Sequence, residues 1–126
     1  MPRHDDIFDF SPEALRRTQR AELNGASICY VGTESPGVVY FWGLEVEPEH
    51  RGQGRCRTFL EKLNEHCDAT GTTRMSKAMS RTEGFEFEKI VNFYISLGFE
   101  TLGTVEGAGS AYPTIRVVRR PRPPSS

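Results

Sequence analysis

One stretch carries the chemistry that is most directly legible: Val46-Glu47-Pro48-Glu49-His50-Arg51-Gly52-Gln53-Gly54-Arg55-Cys56. An apolar run over 38–46 leads into it and a helical pattern over 55–69 leads out, so a strand ends, a glycine-containing turn follows and a helix begins. The first N–H groups of a helix lack intrahelical partners and carry the positive end of its dipole. An anion belongs there, most naturally a phosphate. Gly52 and Gly54, without Cβ atoms, allow a sharp bend and a close approach to it. Arg51, Arg55 and Arg57 add positive charge. The competing reading is a Gly-rich turn that binds nothing, since turns need glycine in any case.

Spacing excludes two common phosphate loops. No Gly-Lys-Ser/Thr follows, so this is not a P-loop, and the third glycine of the dinucleotide fingerprint is missing. A second segment, Asn92-Phe93-Tyr94-Ile95-Ser96-Leu97-Gly98-Phe99-Glu100, lies about forty residues on. Phe87, Ile90, Val91, Tyr94 and Leu97 fall at helical spacing. Gly98 stands where a left-handed cap ends a helix, and Phe99 then opens a strand.

Taken together, the two segments resemble the GNAT N-acetyltransferase superfamily. Arg51-Gly52-Gln53-Gly54-Arg55-Cys56 is similar to its Arg/Gln-x-x-Gly-x-Gly/Ala loop, with Cys56 where Gly or Ala is usual. Phe93-Tyr94-x-x-Leu97-Gly98-Phe99 is similar to its helix-to-strand ending. The resemblance implies that Arg51, Gly52, Gln53, Gly54, Arg55, Cys56 and Arg57 hold the pyrophosphate of acetyl-CoA. It implies that the backbone of Leu44, Glu45 and Val46 pairs with the pantetheine arm like an added strand, with a bulge offering an N–H to the thioester carbonyl. The chain further resembles short, N-terminally truncated members of the phage and anti-CRISPR type.

Acetyl transfer from a thioester to an amine has three requirements. The amine must be neutral when it attacks, the tetrahedral oxyanion must be stabilised, and the departing thiolate must receive a proton. Tyr94 matches the family position that protonates coenzyme A; a core tyrosine at helical spacing is the alternative. Glu45, at the end of the central strand, and Glu83, just before the second motif helix, are the candidate bases, although each reads more readily as a solvated surface charge. Glu88 lies where relatives often carry an Asn that contacts the cofactor. Tyr40 and Trp42 are hairpin packing or the wall of an acceptor pocket.

The elements that must position these residues follow from periodicity and turn chemistry. Ser11-Pro12-Glu13 predicts the start of a helix over 11–23, broken by Asn24-Gly25. Strands follow at 26–33 and 38–46, forming a hairpin. A helix at 53–69, a strand at 72–79, a helix at 86–97 and strands at 99–106 and 114–118 complete the order. The expected fold class is α/β, a minimal GNAT fold with a mixed central sheet, helices on both sides and a β-bulge or splay at the acetyl-CoA site. The domain occupies 1–118, and the Arg/Pro-rich 119–126 forms a disordered tail.

With 126 residues the chain makes one domain. The net charge of −1 argues against a broad nucleic-acid face. Three cysteines without a CxxC pair fit free thiols in a reducing cytoplasm. His4, His50 and His66 have no metal-ligand spacing with them, so no metal is expected. No apolar run approaches the roughly 18 residues of a membrane span, and the polar N-terminus is unlike a signal peptide. The strand at 26–33 lacks an obvious neighbour on one side, which predicts a homodimer that completes the acceptor site or covers that edge. Two functions stand: an acetyl-CoA-dependent N-acetyltransferase acting on an amine, such as a protein lysine or N-terminus, and a catalytically inactive GNAT-like module that binds a partner protein.

Overall fold

The computed structural model describes residues 3–47, 55–79, 87–107 and 113–122, with backbone only at 55 and 56. Six strands hydrogen-bond in one sheet: β1 Gln19–Leu23, β2 Ala26–Gly32, β3 Val38–Val46, β4 Thr73–Met79, β5 Glu100–Glu106 and β6 Thr114–Arg119, in the order β1-β2-β3-β4-β6-β5. Among the described residues three α-helices accompany them: α1 His4–Ile7, α2 Arg55–Thr70 and α3 Phe87–Ser96. This is the expected mixed α/β architecture. The chain divides into two compact units, one up to Arg74 together with Pro121 onward, the other Met75–Arg120.

The first unit differs from expectation at its start. The Ser11 cap forms: Ala14 N–H donates to Ser11 Oγ at 3.2 Å and Leu15 N–H to Ser11 C=O at 3.0 Å. Only a single 3₁₀ turn, Ala14–Arg16, follows, and Gln19 Nε2 donates to the Ala14 carbonyl at 2.7 Å. The expected helix over 11–23 is therefore corrected to a turn and a strand. In β1 only Ala21 and Leu23 are buried, the alternation of a half-buried strand. Asn24 (φ 50°) and Gly25 (φ 85°) form a two-residue hairpin turn between the paired Leu23 and Ala26. β1 covers the edge of β2, so the edge from which a homodimer was expected is not open, and that argument falls.

β2 and β3 pair antiparallel. Thr73 N–H donates to the Gly37 carbonyl at 2.8 Å, which sets the start of β4 beside the start of β3; the two strands run parallel, as a helical crossover demands. The core of this unit joins Phe8, Ile28, Tyr30, Val39 and Phe41 to Phe59, Leu63 and Cys67 of α2. Phe10 meets Tyr30 and Phe41 edge-on, with ring centroids 5.4 and 5.9 Å away. Buried Arg74 donates to Asn64 Oδ1 at 2.9 Å and lies over the Phe41 ring, tying the entry of β4 to α2 and β3.

In the second unit β5 and β6 form an antiparallel pair. Ala78, Phe99, Ile115 and Val117 make its core, and Phe87, Ile90, Val91, Tyr94 and Leu97 pack on it, the helical face that their spacing predicts. β6 runs through buried Arg119, one residue into the segment assigned to the tail, and Arg122 N–H donates to Asp68 Oδ1 at 2.9 Å in the first unit.

Candidate functional site

β3 carries the site's main backbone feature. Cys29 opposes Trp42, and Ser27 opposes Glu45. Two steps along β2 thus match three along β3, so β3 holds one extra residue. This is a β-bulge, centred on Gly43 at φ 70°. Left-handed backbone suits glycine, and a Cβ built there would meet only Cys29 Sγ, at 3.8 Å; conformation rather than space keeps this residue glycine. The insertion inverts the side-chain parity. Before it Val39 and Phe41 are buried; after it Leu44 and Val46 are the half-buried pair and Glu45 is exposed. The expected bulge is present on the strand expected to carry it.

β3 ends at Val46, and α2 begins at Arg55. Arg51, Gly52, Gln53 and Gly54 lie outside the described residues, as does Glu83. Arg55 and Cys56 form the first turn of α2, and Arg57 is exposed on it. The inner face of α2 presents Phe59, Leu60 and Leu63, all buried, which fixes the helix against the sheet. Leu44, Glu45, Val46 and Arg57 all belong to the first unit.

Tyr94 belongs to the second. It is half-buried on the inner face of α3. Gly98, at φ 92°, ends the helix. Gly98 N–H donates to the Ile95 carbonyl at 3.0 Å, and Phe99 N–H reaches back to the Tyr94 carbonyl at 3.1 Å. These two bonds make a Schellman motif, and its usual hydrophobic contact is the Tyr94–Phe99 pair, edge-on at 5.2 Å. The Tyr-x-x-Leu-Gly-Phe run therefore has a local structural cause: it stops a helix and holds the Tyr94 ring at a fixed angle. Glu88 is exposed in the first turn of α3.

One cluster was not anticipated from the sequence. His66 on α2 is buried, and its Nδ1 lies 2.8 Å from Nδ1 of His4 on α1. Its ring meets Phe10 edge-on at 4.5 Å. Burial lowers the His66 pKa below the usual imidazole value, and the neighbouring His4 adds to the effect; Asp5 and Asp9 oppose it. The Asp9 carboxylate accepts from Ser11 N–H at 2.9 Å, which lowers its pKa. Burial raises that of Tyr30, whose hydroxyl accepts from Asp9 N–H at 3.0 Å. Phe8, Phe10 and His66 also line an open cleft of about 920 Å³ with the β2–β3 turn. Val38 and Val39 form part of this cleft, whereas the bulge at Gly43 is roughly 14 Å further along the strand. Among the described residues of the first unit, the candidate base Glu45 does not line it. Among the described residues no group of three or more His, Cys, Asp or Glu could hold a metal, and no helix is long and apolar enough to cross a membrane.

Comparison with known proteins bears on this arrangement. No curated protein matches the chain in sequence. Among solved structures, a protein from Desulfovibrio desulfuricans described as a GNAT-family acetyltransferase superposes with a TM-score of 0.60 at 18% identity. That match covers 76% of this chain and 61% of that one, so the chain spans less than two thirds of its length. An aminoglycoside 6′-N-acetyltransferase in complex with coenzyme A gives 0.59 at 19% identity, over 88% of this chain and 79% of that one. The ribosomal-protein-S18-alanine N-acetyltransferase of Escherichia coli gives 0.57 at 17% identity, over 90% and 78%. Identities this low speak for the fold. The sequence model of the acetyltransferase (GNAT) family matches residues 8–99, most of the chain. That span takes in the bulged strand, the loop and helix that follow it, and the Tyr94–Phe99 helix stop, and on it the chain belongs to the acetyltransferase (GNAT) family.

Proposed function

We propose that the chain transfers the acetyl group of acetyl-CoA to an amine. The observation that carries this reading is the bulged end of β3 leading to the start of α2. A bulge leaves strand backbone groups outside the ladder, where an extended pantetheine arm can pair with them. In this reading the backbone of Leu44, Glu45 and Val46 binds the arm. The run Arg51, Gly52, Gln53, Gly54, Arg55, Cys56 and Arg57 binds the pyrophosphate. Named functions of two structural neighbours, on an aminoglycoside amine and on an alanine of a ribosomal protein, support an amine acceptor.

An ammonium acceptor gives one proton to a carboxylate, Glu45 or Glu83, or to water. The freed nitrogen lone pair forms the N–C bond to the thioester carbonyl, and the C–S bond breaks. The thiolate takes a proton from Tyr94, and the second amine proton restores the phenol. The net products are the amide, the free thiol and one released proton. Holding both substrates in line supplies a large share of the rate enhancement whichever carboxylate serves.

Titration calorimetry with acetyl-CoA tests the reading. Saturable heat is expected from the wild type, with loss in Gly54→Asp, which puts bulk and negative charge against the pyrophosphate. No heat at millimolar acetyl-CoA, or equal binding by Gly54→Asp, overturns it. Binding with no amine-dependent release of thiol, across peptide, amino-sugar and polyamine acceptors, would instead support an inactive module that binds a partner protein.

A further inference from the structure

Two imidazoles meet nitrogen to nitrogen in the first unit. His4 Nδ1 on α1 lies 2.8 Å from His66 Nδ1 on α2, with ring centroids 5.0 Å apart. A hydrogen bond of that length needs one proton between the two nitrogens and one free lone pair. Two neutral rings meet the condition. Two imidazolium rings do not, because both nitrogens then carry hydrogen.

Burial decides which ring donates. His66 is 6% exposed, and its Nε2 has no hydrogen-bond partner among the described residues. Phe10 and Phe8 stand against the ring, centroids 4.5 and 5.9 Å away. An orphaned N–H is harder to bury than an orphaned lone pair, so neutral His66 carries its proton on Nδ1 and donates it to His4. His4 is only partly buried. A proton added to His4 sets two N–H groups head to head, or drives the His66 hydrogen onto its unpartnered Nε2. A proton added to His66 puts a charge among phenylalanines. Burial and the neighbouring His4 hold the His66 pKa below the ordinary imidazole value, in the same direction.

The surrounding charges do not rescue the protonated pair. Asp5 on α1 and Asp9 beyond it favour the imidazolium, but Asp5 also pairs with Arg3 at 3.4 Å and Asp9 accepts from Ser11 N–H at 2.9 Å. On α2, Lys62 and Glu65 pair with each other at 3.7 Å. Tyr30 of β2 meets the Asp9 backbone, and Arg74 of β4 is bonded to Asn64 and lies over Phe41.

The segment held by this contact has little else to fix it. α1 is four residues long, too short to persist on its own hydrogen bonds. Beyond His4, it is tied by Phe8 on Phe59, centroids 5.6 Å apart, and by Asp9 N–H donating to the Tyr30 hydroxyl at 3.0 Å. We infer that the His4–His66 contact is an acid-released clasp. Neutral rings fasten residues 4–10 onto α2. When the rings take up protons the segment lets go, baring Phe59 and opening the cleft that Phe8, Phe10 and His66 line. The device is independent of the acetyl-transfer reading.

Amide hydrogen exchange read by NMR, corrected for its intrinsic pH dependence, tests the clasp. The amides of Asp6, Phe8 and Asp9, bonded to the Arg3 and His4 carbonyls and the Tyr30 hydroxyl, report on the segment. A ring that protonates only in the released segment, at the ordinary value near 6.5, favours release about 30-fold at pH 5. Asp5 and Asp9 offset part of this. Protection of the three amides should therefore fall at least about tenfold between pH 7.5 and 5. At pH 5 they should exchange at least about tenfold faster than the amides of β2 and β3, which marks a local release. His66→Asn keeps an N–H donor near the Nδ1 position and does not titrate; it should hold the change within about threefold. Imidazole ¹⁵N spectra of the wild type at pH 8 should show His66 protonated on Nδ1 and His4 on Nε2. A smaller fall in the wild type, the same fall in His66→Asn, exchange no faster than that of β2 and β3, or His66 protonated on Nε2 alone overturns the inference. Should His66→Asn not fold, the wild-type exchange and tautomers decide.

Discussion

Gly43 is the residue on which the bulge depends, and Gly43→Ala isolates its contribution. The backbone there is left-handed at φ 70°, while the space for a methyl is open, the nearest contact being Cys29 Sγ at 3.8 Å. The cost of alanine is therefore conformational. An L-residue in this region costs about 1–2 kcal/mol, and alanine recovers part of that by restricting the unfolded chain, leaving a net loss of about 0.5–1.5 kcal/mol. For a domain of this size that is a fall in Tm of roughly 2–7 °C. The strained strand can relieve itself by straightening, which turns Leu44–Val46 over. Acetyl-CoA binding then has to restore the bulge, and its Kd rises by up to about tenfold. Gly103 supplies the control. It has the same kind of backbone, φ 78°, and nothing within 4 Å of a built Cβ, but it lies in β5. Gly103→Ala should lose a similar Tm and keep its acetyl-CoA Kd within about twofold. Differential scanning calorimetry and ligand titration on the two variants decide the matter. If Gly43→Ala melts like wild type, or if Gly103→Ala weakens acetyl-CoA equally, the bulge is not the binding device.

Three further outcomes are expected. Tyr94→Phe keeps the ring against Phe99 and removes only the proton; turnover should fall roughly 10²–10⁴-fold with Tm and acetyl-CoA affinity nearly unchanged, and a loss of Tm with turnover retained would make the residue packing alone. Of Glu45→Gln and Glu83→Gln, only the one that removes the base should shift the pH–rate profile of amine acetylation; if neither does, solvent deprotonates the amine. The lowered His66 pKa means that the folded protein resists protonating this ring, so stability is complete above the unfolded value near 6.5 and declines as pH falls from there towards the folded value. Thermal melts between pH 7.5 and 5, on wild type and His66→Phe, should show that slope and its loss; an identical slope in both would assign the acid sensitivity elsewhere.

Most of the fold was legible because its cues are local. The β2–β3 hairpin, α2 and α3 follow from hydrophobic period, and Gly98 marks the end of α3 by the left-handed cap it forms. β1 was misread for a reason that is also local. Ser11-Pro12-Glu13 does cap a turn, but the alternation Ala21-x-Leu23 before Asn24-Gly25 is a strand and an Asn-Gly hairpin turn. Asn24-Gly25 can break a helix, but its stronger meaning is to reverse a strand. α1 could not have been found this way. It is four residues long, and what holds it is distant in sequence: the His4–His66 contact and Phe8 packed on Phe59.

For the site the boundary between legible and hidden falls at the bulge. Glycine loop, tyrosine and carboxylates are residue types in a pattern, and a sequence displays them. Which face of a strand a side chain occupies is a parity, and a single inserted residue inverts it for everything beyond. Read as a regular strand, 38–46 sets Trp42 and Glu45 on opposite sides, whereas the bulge sets them on one. Gly43, alone in an aromatic and β-branched run, was the available sign that the parity changes, since glycine weakens a strand unless a bulge or a close approach requires it. The same argument explains why the Phe-Tyr-x-x-Leu-Gly-Phe run is ambiguous on its own. Its spacing is demanded by the helix stop whether or not the hydroxyl of Tyr94 ever gives up a proton, so the pattern fixes where the ring sits, and only removal of that proton distinguishes an acid from a prop.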